Sequence, residues 1–318
     1  LTDAHTDGLI IEDKQCRGVR FTKDGSQKEA RVGREVIISA GSVNSPQILE
    51  LSGIGQPELL QRHGVQVCHA LPGVGENLRD HYAPRMKYEI TASGLTYNDK
   101  MRGIGTVLQA LRYAMTGTGL LGLPAAPLRA YVCSRDGLAS PDINISIVPF
   151  LVAEGFKLAK ESGITVITHP LRSESTGSIH IGSPDSKSPP KINFNFLTAD
   201  YDRQITLAGM DIVRRIMAAA PMASMRGAEI APGPTLQADD ELLHWVRETA
   251  ETTYHPIGTC KMGTDDRAVV DEELRVRGMQ GLRVADASIM PTLTSGNTNA
   301  PSIMIGEKAS AMLLKTAA

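Results

Sequence analysis

The segment at residues 34–53 constrains the fold of this chain more than any other feature of its sequence. It opens with REVIISA, a short run rich in Val and Ile that is typical of a buried strand, and a turn follows. Ser45 and Pro46 predict the start of a helix, because Ser accepts an orphan backbone N–H as N-cap and Pro suits the first helical position. Gly53 predicts the end of that helix in a left-handed conformation. A strand, a turn and a helix in this order are typical of an α/β fold.

Hydrophobic periodicity predicts further elements along the chain. Strand patterns cover residues 8–11, 16–21, 142–149, 164–168, 178–181 and 282–286. Helix patterns cover residues 58–63, 107–115, 205–219, 239–249 and 301–314. The strand patterns between 142 and 181 alternate with polar turns, which predicts an antiparallel sheet. The Gly-rich stretch at 71–82 predicts an ordered loop of the kind that lines a site.

Composition and charge narrow the class of protein. The 318 residues are 42% hydrophobic and 21% charged, which is enough for a packed core. The net charge of −2 offers no large basic field, so we expect no nucleic-acid partner. The four cysteines show no metal-ligand spacing, so we expect no metal and a reduced, cytoplasmic protein. No apolar run has the length of a membrane helix, and peripheral attachment to a membrane stays open.

One motif matches a cofactor-binding pattern but lies in the wrong structural context for it. GTGLLG at residues 117–122 matches the GxGxxG pattern of dinucleotide-binding loops, and the sequence contains no second match. Such a loop needs a strand before it and a helix after it, so that the helix N-terminus faces the pyrophosphate. This match instead follows a helix pattern. We therefore expect a flexible loop between domains here, without contact to a cofactor.

Several segments carry a resemblance across nearly the whole chain. They read GSVNSPQILELSGIG at 41–55, LPGVGENLRDH at 71–81, YHPIGTCKMG at 254–263, RVADASIMP at 283–291, GNTN at 296–299 and IGEK at 305–308. In this order they resemble the GMC (glucose–methanol–choline) oxidoreductases, and the choline-dehydrogenase-like branch in particular. The resemblance implies FAD as the cofactor. It also implies oxidation of a primary alcohol to an aldehyde by hydride transfer to flavin N5.

The same resemblance implies the catalytic residues. His255 matches the family's catalytic base, and an imidazole that titrates near neutral pH suits removal of a hydroxyl proton. Asn297 matches the family's second active-site residue, which is Asn or His, and its amide would stabilise a developing alkoxide. The histidines at 5, 63, 69 and 180 are expected to be surface or strand residues.

Contacts to the cofactor are implied in the same way. The positions that match the family's FAD-binding residues are Thr6, Ala40, Gly41, Tyr254, Asp286, Ala287, Asn297, Thr298 and Asn299. Thr6 is expected beside the adenine, and Asp286 near the ribityl chain and the pyrophosphate. The helix that follows Asn299 would direct its positive end at the flavin pyrimidine ring.

These implications set the expected fold class, α/β and α+β. An incomplete FAD-binding doubly wound domain would combine with a substrate domain that has an antiparallel sheet and helices. Residues 1–90 and 250–318 would form parts of the FAD-binding domain, and residues 91–249 the substrate-binding domain. The family's phosphate-binding fingerprint would lie upstream of Leu1, in about 200 further residues. That missing N-terminal segment would be required, so we expect weak or no FAD binding and no activity from this chain alone.

The substrate is predicted from a stretch without acidic residues. Residues 101–134 contain no Asp or Glu, and Pro127 stands near the position where choline-specific members carry a carboxylate. A buried trimethylammonium group needs a counter-charge or an aromatic cage, so an uncharged primary alcohol is favoured over choline. The electron acceptor stays open between oxygen, a quinone and others. Two alternatives also stay open, a hydroxynitrile lyase with His255 as base and an inactive fragment or partner subunit.

Overall fold

A computed structural model describes residues 1–153 and 157–315 of the chain. Its strands are β1 (Ala4–Glu12), β2 (Gln15–Lys23), β3 (Ser26–Arg31), β4 (Val36–Ile38), β5 (Ile54–Gly55), β6 (His69–Ala70), β7 (Tyr82–Ala83), β8 (Arg85–Ile90), β9 (Leu128–Val132), β10 (Ile143–Val148), β11 (Gly163–Pro170), β12 (Ser178–His180), β13 (Lys191–Asn193), β14 (Arg226–Ala231), β15 (Glu251–Thr252) and β16 (Leu282–Val284). Its helices are α1 (Gly41–Leu51), α2 (Pro57–Arg62), α3 (Tyr97–Lys100), α4 (Ile104–Thr116), α5 (Asp200–Ala218), α6 (Ala220–Ala223), α7 (Asp239–Thr249) and α8 (Asn299–Lys315). The strands and helices predicted from the sequence are present, with ends that differ by up to five residues.

The described residues form two compact units, each built from separated stretches of chain. Unit 1 comprises Leu1–Asp80, Arg172–Thr198 and the residues from Tyr254 onward, and unit 2 comprises His81–Leu171 and Ala199–Thr253. The stretch Arg172–Thr198 therefore lies in unit 1, although it falls inside the predicted substrate-binding domain. It does so because Gly177 and Leu78 exchange two backbone hydrogen bonds, at 2.8 and 3.0 Å.

Unit 1 contains the predicted α/β element. β4 pairs with β16 in parallel, and Ile38 lies opposite Val284. α1 follows β4 directly, and its buried Leu49 belongs to the same hydrophobic core as Val284 and Ile257. The strands β1, β2 and β3 form a separate antiparallel sheet within this unit. The prediction of an α/β arrangement is confirmed here.

The start of α1 corrects the sequence prediction. The helix begins at Gly41, so Ser45 and Pro46 lie inside it rather than at its N-cap and first position. Ser45 still reaches the helix start, because its Oγ accepts a hydrogen bond from the Ala40 N–H at 3.1 Å. The predicted end is confirmed, since α1 ends at Leu51 and Gly53 has a φ of +80°.

Unit 2 is built on the predicted antiparallel sheet. Its five strands have the order β14-β8-β11-β10-β9, and every neighbouring pair is antiparallel. α5 packs on β11 through a close approach at Gly209, where an added Cβ would lie 2.6 Å from the Thr168 hydroxyl oxygen. The strand predicted at 178–181 does not join this sheet. It forms β12, which pairs with β13 in unit 1.

The residues after α4 and the start of α8 can also be compared with the sequence predictions. GTGLLG follows α4, and Gly117 ends that helix in a left-handed conformation. The stretch lies within unit 2 and contains a short 3-10 turn at Leu120–Gly122, so the prediction of a loop between domains is wrong. α8 begins at Asn299, two residues before the predicted start at Pro301. Among the residues that the structure describes, no helix combines the length and apolar character needed to cross a bilayer.

Candidate active site

His255 and Asn297 are in direct contact in unit 1. Nδ2 of Asn297 lies 2.8 Å from Nε2 of His255. Because an amide NH₂ group only donates hydrogen bonds, the contact is satisfied when Nε2 carries no proton. That neutral form of the imidazole is the one that can accept a proton. The two residues assigned to catalysis by the sequence are therefore brought together, although 42 positions separate them.

Asp80 fixes the backbone of His255. The buried Asp80 carboxylate accepts a hydrogen bond from the His255 N–H at 3.0 Å. Next to this contact, Arg79 and Ile257 exchange backbone hydrogen bonds at 3.1 and 2.9 Å. The loop at 71–82 thus holds the His255 segment by a side chain and by main chain. Sequence reasoning missed Asp80 as a site residue, and its position in LPGVGENLRDH was the available signal.

Because Gly258 has no side chain, the loop at 71–82 can lie close to the segment that carries His255. Gly258 has a φ of +92°, and an added Cβ would lie 2.4 Å from the Asn77 carbonyl oxygen. The Asn77 side chain in turn donates to the Pro291 carbonyl at 3.2 Å. A side chain at 258 would therefore displace the loop from the segment that carries His255.

The N-terminal half of α1 is hydrogen-bonded to the segment that carries His255. Pro46 has no N–H, so the Ser42 carbonyl four residues earlier lacks its usual helical donor. The buried Thr259 hydroxyl donates to that carbonyl at 2.7 Å. The Ser42 hydroxyl donates to the Pro256 carbonyl, also at 2.7 Å. Two hydroxyls thus join the helix to the residues that flank His255.

Asp286, which follows β16, accepts hydrogen bonds from residues in the first turns of α1. Its carboxylate accepts from the Gly41 N–H at 3.0 Å, from the Ser45 hydroxyl at 2.5 Å and from the Ser288 N–H at 2.8 Å. A carboxylate at this end of a helix is favourable for the helix dipole. The predicted cofactor residues Gly41 and Asp286 therefore lie side by side, with Ala40 and Ala287 next to them in the chain.

A cavity of about 420 Å³ lies beside Ala40 in unit 1. Thr6 and Ala4 line it with short side chains. Gly41 has a φ of +79°, and open space lies where its Cβ would point. Ala40 and Gly41 follow β4, and Ala4 and Thr6 lie on β1, so small residues from two strands border the cavity where the family resemblance places the adenine half of FAD.

α8 begins directly after Asn297. The buried Thr298 carbonyl accepts from the Ser302 N–H at 3.0 Å and from the Ser302 hydroxyl at 2.7 Å. Asn299 is the first residue of the helix. The positive end of α8 therefore lies beside the His255–Asn297 pair, where it favours negative charge. Tyr254, on the other side of His255 in the chain, is 76% exposed and has a φ of +62°.

His180 lies between two carboxylates, which the sequence did not indicate. Nδ1 is 2.7 Å from Glu50 Oε1, and Nε2 is 3.2 Å from Glu76 Oε1. Burial lowers the pKa of His180, but the hydrogen bonds and charges of the two glutamates outweigh burial and raise it to about 9. The hydrogen bond from His180 also holds the pKa of Glu76 below its usual value. His180 is a strand residue as predicted, and the cluster ties β12 to α1 and to the loop at 71–82.

The fold and the site together define an α/β unit that carries a histidine able to accept a proton. The chain belongs to the GMC oxidoreductase family, since profiles described as GMC oxidoreductase match residues 1–83 and 173–306. The resemblance stated from the motifs is thereby confirmed.

Individual relatives agree with this assignment. The chain is 38% identical over 308 residues to an oxygen-dependent choline dehydrogenase of Chromohalobacter salexigens, covering 96% of this chain and 55% of that protein. It is 40% identical over 317 residues to one of Yersinia pseudotuberculosis, covering 97% of this chain and 55% of that protein. The chain thus spans little more than half the length of these relatives.

Solved structures show the same fold. A formate oxidase variant of Aspergillus oryzae, studied for its FAD modification, has a TM-score of 0.91 at 26% identity and covers 97% of this chain and 59% of its own. Pyridoxine 4-oxidase from Mesorbium loti has a TM-score of 0.82 at 25% identity and covers 97% of this chain and 56% of its own. FAD as the cofactor and the predicted fold class are confirmed at the level of the family.

Proposed function

We propose that the protein to which this chain belongs oxidises an uncharged primary alcohol to the corresponding aldehyde, with His255 as the base. The observation that carries this proposal is the 2.8 Å contact between His255 Nε2 and the Asn297 amide. The amide can donate to Nε2 only when Nε2 is unprotonated, which is the form that can take a proton. The contact lies beside the positive end of α8, where a developing negative charge is stabilised.

When the substrate binds, its hydroxyl group takes the place of the direct contact between Asn297 and His255, which frees the single lone pair of Nε2, and His255 accepts the hydroxyl proton there. Removing that proton allows the carbon to release a hydride, and the C–O bond becomes the carbonyl of the aldehyde. FAD, when bound at Thr6, Ala40, Gly41, Tyr254, Asp286, Ala287, Asn297, Thr298 and Asn299, supplies the hydride acceptor.

Asn297 orients the substrate oxygen. Its Nδ2 group donates a hydrogen bond, so it can hold the hydroxyl oxygen while the hydroxyl hydrogen faces Nε2 of His255. As the proton leaves, the same donor stabilises the negative charge on oxygen. Asp80 acts as a positioning residue, because it holds the His255 backbone and so keeps the ring in place for this transfer.

The choice of an uncharged alcohol rests on the acid-free stretch at 101–134. A trimethylammonium group taken out of water requires a nearby negative charge or aromatic faces. Since the relatives named above are choline dehydrogenases, choline is the natural comparison substrate.

The test uses the polypeptide at the full length that its gene encodes, loaded with FAD. Primary alcohols and choline are added without oxygen, and the visible flavin spectrum is followed. We expect bleaching by uncharged alcohols, and about a hundred- to ten-thousandfold slower bleaching in His255→Ala at unchanged flavin content. His244→Ala, an exposed histidine on α7, is the matched control and should keep the wild-type rate.

Two results would contradict the proposal. A bound flavin that no alcohol reduces would remove the redox function and favour the lyase alternative. Bleaching by choline in preference to every uncharged alcohol would leave the oxidation in place and overturn the substrate class.

A further inference from the structure

The cavity beside Ala40 has one wall that is not evident from the sequence. Residues 186–190, which belong to the loop between β12 and β13, line it together with residues of β1 and α1. The sequence prediction places this loop in the substrate-binding domain, within residues 91–249. The structure places it in unit 1, beside Thr6 and Ala40, two residues that the family resemblance assigns to the cofactor. A stretch predicted to serve the substrate therefore borders the cofactor cavity.

Side chains from β1 hold this loop in place. The Ser186 hydroxyl donates to the Asp7 carboxylate at 2.7 Å, and Nε2 of His5 lies 3.1 Å from the Ser186 carbonyl oxygen. Within the loop, the Ser188 N–H donates to the Asp185 carbonyl at 3.0 Å. A wall that is ordered before a ligand arrives costs little to organise on binding. The loop is therefore a preformed part of the cavity.

Gln47 is a buried polar side chain in the α1 wall of the cavity, with 8% of its surface exposed. Its Nε2 group donates to the Ser188 carbonyl at 2.9 Å, and because a carbonyl only accepts, this contact fixes which end of the amide faces the loop. Within the part of the chain that the structure describes, Oε1 of Gln47 accepts no hydrogen bond. A buried acceptor without a donor is unfavourable, so we expect the occupant of the cavity to supply the donor.

The surroundings of Gln47 suit a flat ring. Ile48 and Leu51 line the cavity from α1, and Ala4 and Thr6 line it from β1. The volume of about 420 Å³ lies within the range of sites for small ligands. Apolar or short side chains with one acceptor among them match a planar heteroaromatic ring that carries an amino group. The adenine ring of FAD has this character, because its exocyclic amine is a donor.

We propose that Oε1 of Gln47 accepts a hydrogen bond from the exocyclic amino group of the FAD adenine, and that residues 186–190 hold Gln47 in the orientation this requires. Hypoxanthine carries an oxygen in place of the amine, so it would present an acceptor to Oε1. Turning the amide to offer Nε2 instead would bring Oε1 against the Ser188 carbonyl oxygen, and such a rotation is unfavourable. Gln47 therefore makes the cavity selective for adenine.

The experiment titrates the flavin-free polypeptide, at the length that its gene encodes, with adenosine diphosphate (ADP) or inosine diphosphate. These nucleotides carry adenine and hypoxanthine respectively, and isothermal titration calorimetry gives both dissociation constants. We expect the wild type to bind ADP about ten- to a hundredfold more tightly, since an unpaired buried polar group costs that much affinity. Gln47→Met keeps the length of the side chain and removes the amide. This variant should bind ADP about tenfold more weakly than the wild type and should bind the two nucleotides with nearly equal affinity.

Gln237→Met is the matched control, because the Gln237 amide also donates to a backbone carbonyl, that of Pro234 at 2.7 Å, but is exposed and belongs to unit 2. It should leave both dissociation constants unchanged. Equal wild-type affinity for the two nucleotides, or no binding of either, overturns the proposal, and so does a Gln47→Met variant that keeps the preference for ADP. Should Gln47→Met misfold by circular dichroism, Gln47→Leu tests the same point with a side chain that suits its apolar neighbours. The titration contains no alcohol, so its failure would leave the proposed oxidation untouched.

Discussion

At the scale of single residues, the contact between Asn297 and His255 gives the sharpest prediction. Asn297→Asp keeps the size of the side chain but replaces the donor with a carboxylate, which accepts hydrogen bonds and repels a forming alkoxide. We expect kcat for alcohol oxidation to fall about a hundredfold or more at neutral pH. Anaerobic reduction kinetics of the FAD-loaded protein measure this, with flavin content as the control. An unchanged rate would show that the amide does not contact the reacting oxygen.

The charge of His180, which lies between two carboxylates, gives a prediction about pH. The pKa of His180 is about 9 in the folded chain, above the ordinary value of 6.5 for the unfolded chain. A raised pKa adds stability that is complete below 6.5 and is lost as the pH rises through 9. The free energy of unfolding should therefore decline over this window, by about 3 kcal/mol at most.

Urea denaturation at several pH values measures the decline. His180→Gln should abolish most of the pH dependence in this window, because an amide does not titrate. If His180→Gln and the wild type lose the same free energy of unfolding between pH 6.5 and 9, the His180 cluster is not the source of the pH dependence.

The sequence identified individual site residues only where a motif carried them. His255 and Asn297 were predicted through the family resemblance, and the structure places them in contact. Asp80 and the Glu50–His180–Glu76 cluster were not predicted, because their partners lie 175, 130 and 104 residues away in the chain. No local spacing encodes such a pair, and only the folded arrangement reveals it.

At the scale of elements, the joint between α1 and the His255 segment can be tested with Thr259. Thr259→Val removes the hydroxyl that supplies the Ser42 carbonyl with a donor in place of Pro46. A buried carbonyl left without a donor should cost about 1–3 kcal/mol of unfolding free energy. Urea denaturation measures the change. Thr249→Val is the matched control, because its hydroxyl also donates to a helix carbonyl at 2.7 Å but is exposed. The control should change stability by less than about 0.5 kcal/mol, and equal losses in both variants would contradict the role given to Thr259.

Elements with strong local patterns were predicted well. α7 has the predicted bounds, and β10 and β11 pair as predicted in an antiparallel sheet. The start of α1 was predicted wrongly, because Asp286 supplies the N-terminal acceptor from 245 residues away and leaves Ser45 free to lie inside the helix. The strand at 178–181 was assigned to the wrong sheet for a similar reason. Its neighbours are set by the backbone bonds between Gly177 and Leu78.

At the scale of the whole molecule, we expect the 318-residue chain to bind FAD weakly or not at all. Its single GxGxxG match follows α4 rather than a strand, so the chain lacks the glycine loop that holds a pyrophosphate at a helix N-terminus. Equilibrium dialysis against FAD measures the affinity. The polypeptide at gene-encoded length is the control, and stoichiometric binding by the 318-residue chain would refute the expectation.

The pairing of β4 with β16 also bears on the order of events during translation. Ile38 and its partner Val284 are separated by 246 residues, and β14, the last strand of the unit 2 sheet, ends 51 residues before β16 begins. At roughly 5–20 residues per second, β4 emerges about 10–50 seconds before its partner. Unit 2 can therefore complete its sheet while the nascent chain still exposes the apolar residues of β4 and α1. Unit 1 can complete its core only after β16 has emerged, and until then the segment of β4 and α1 is where we expect chaperones to bind.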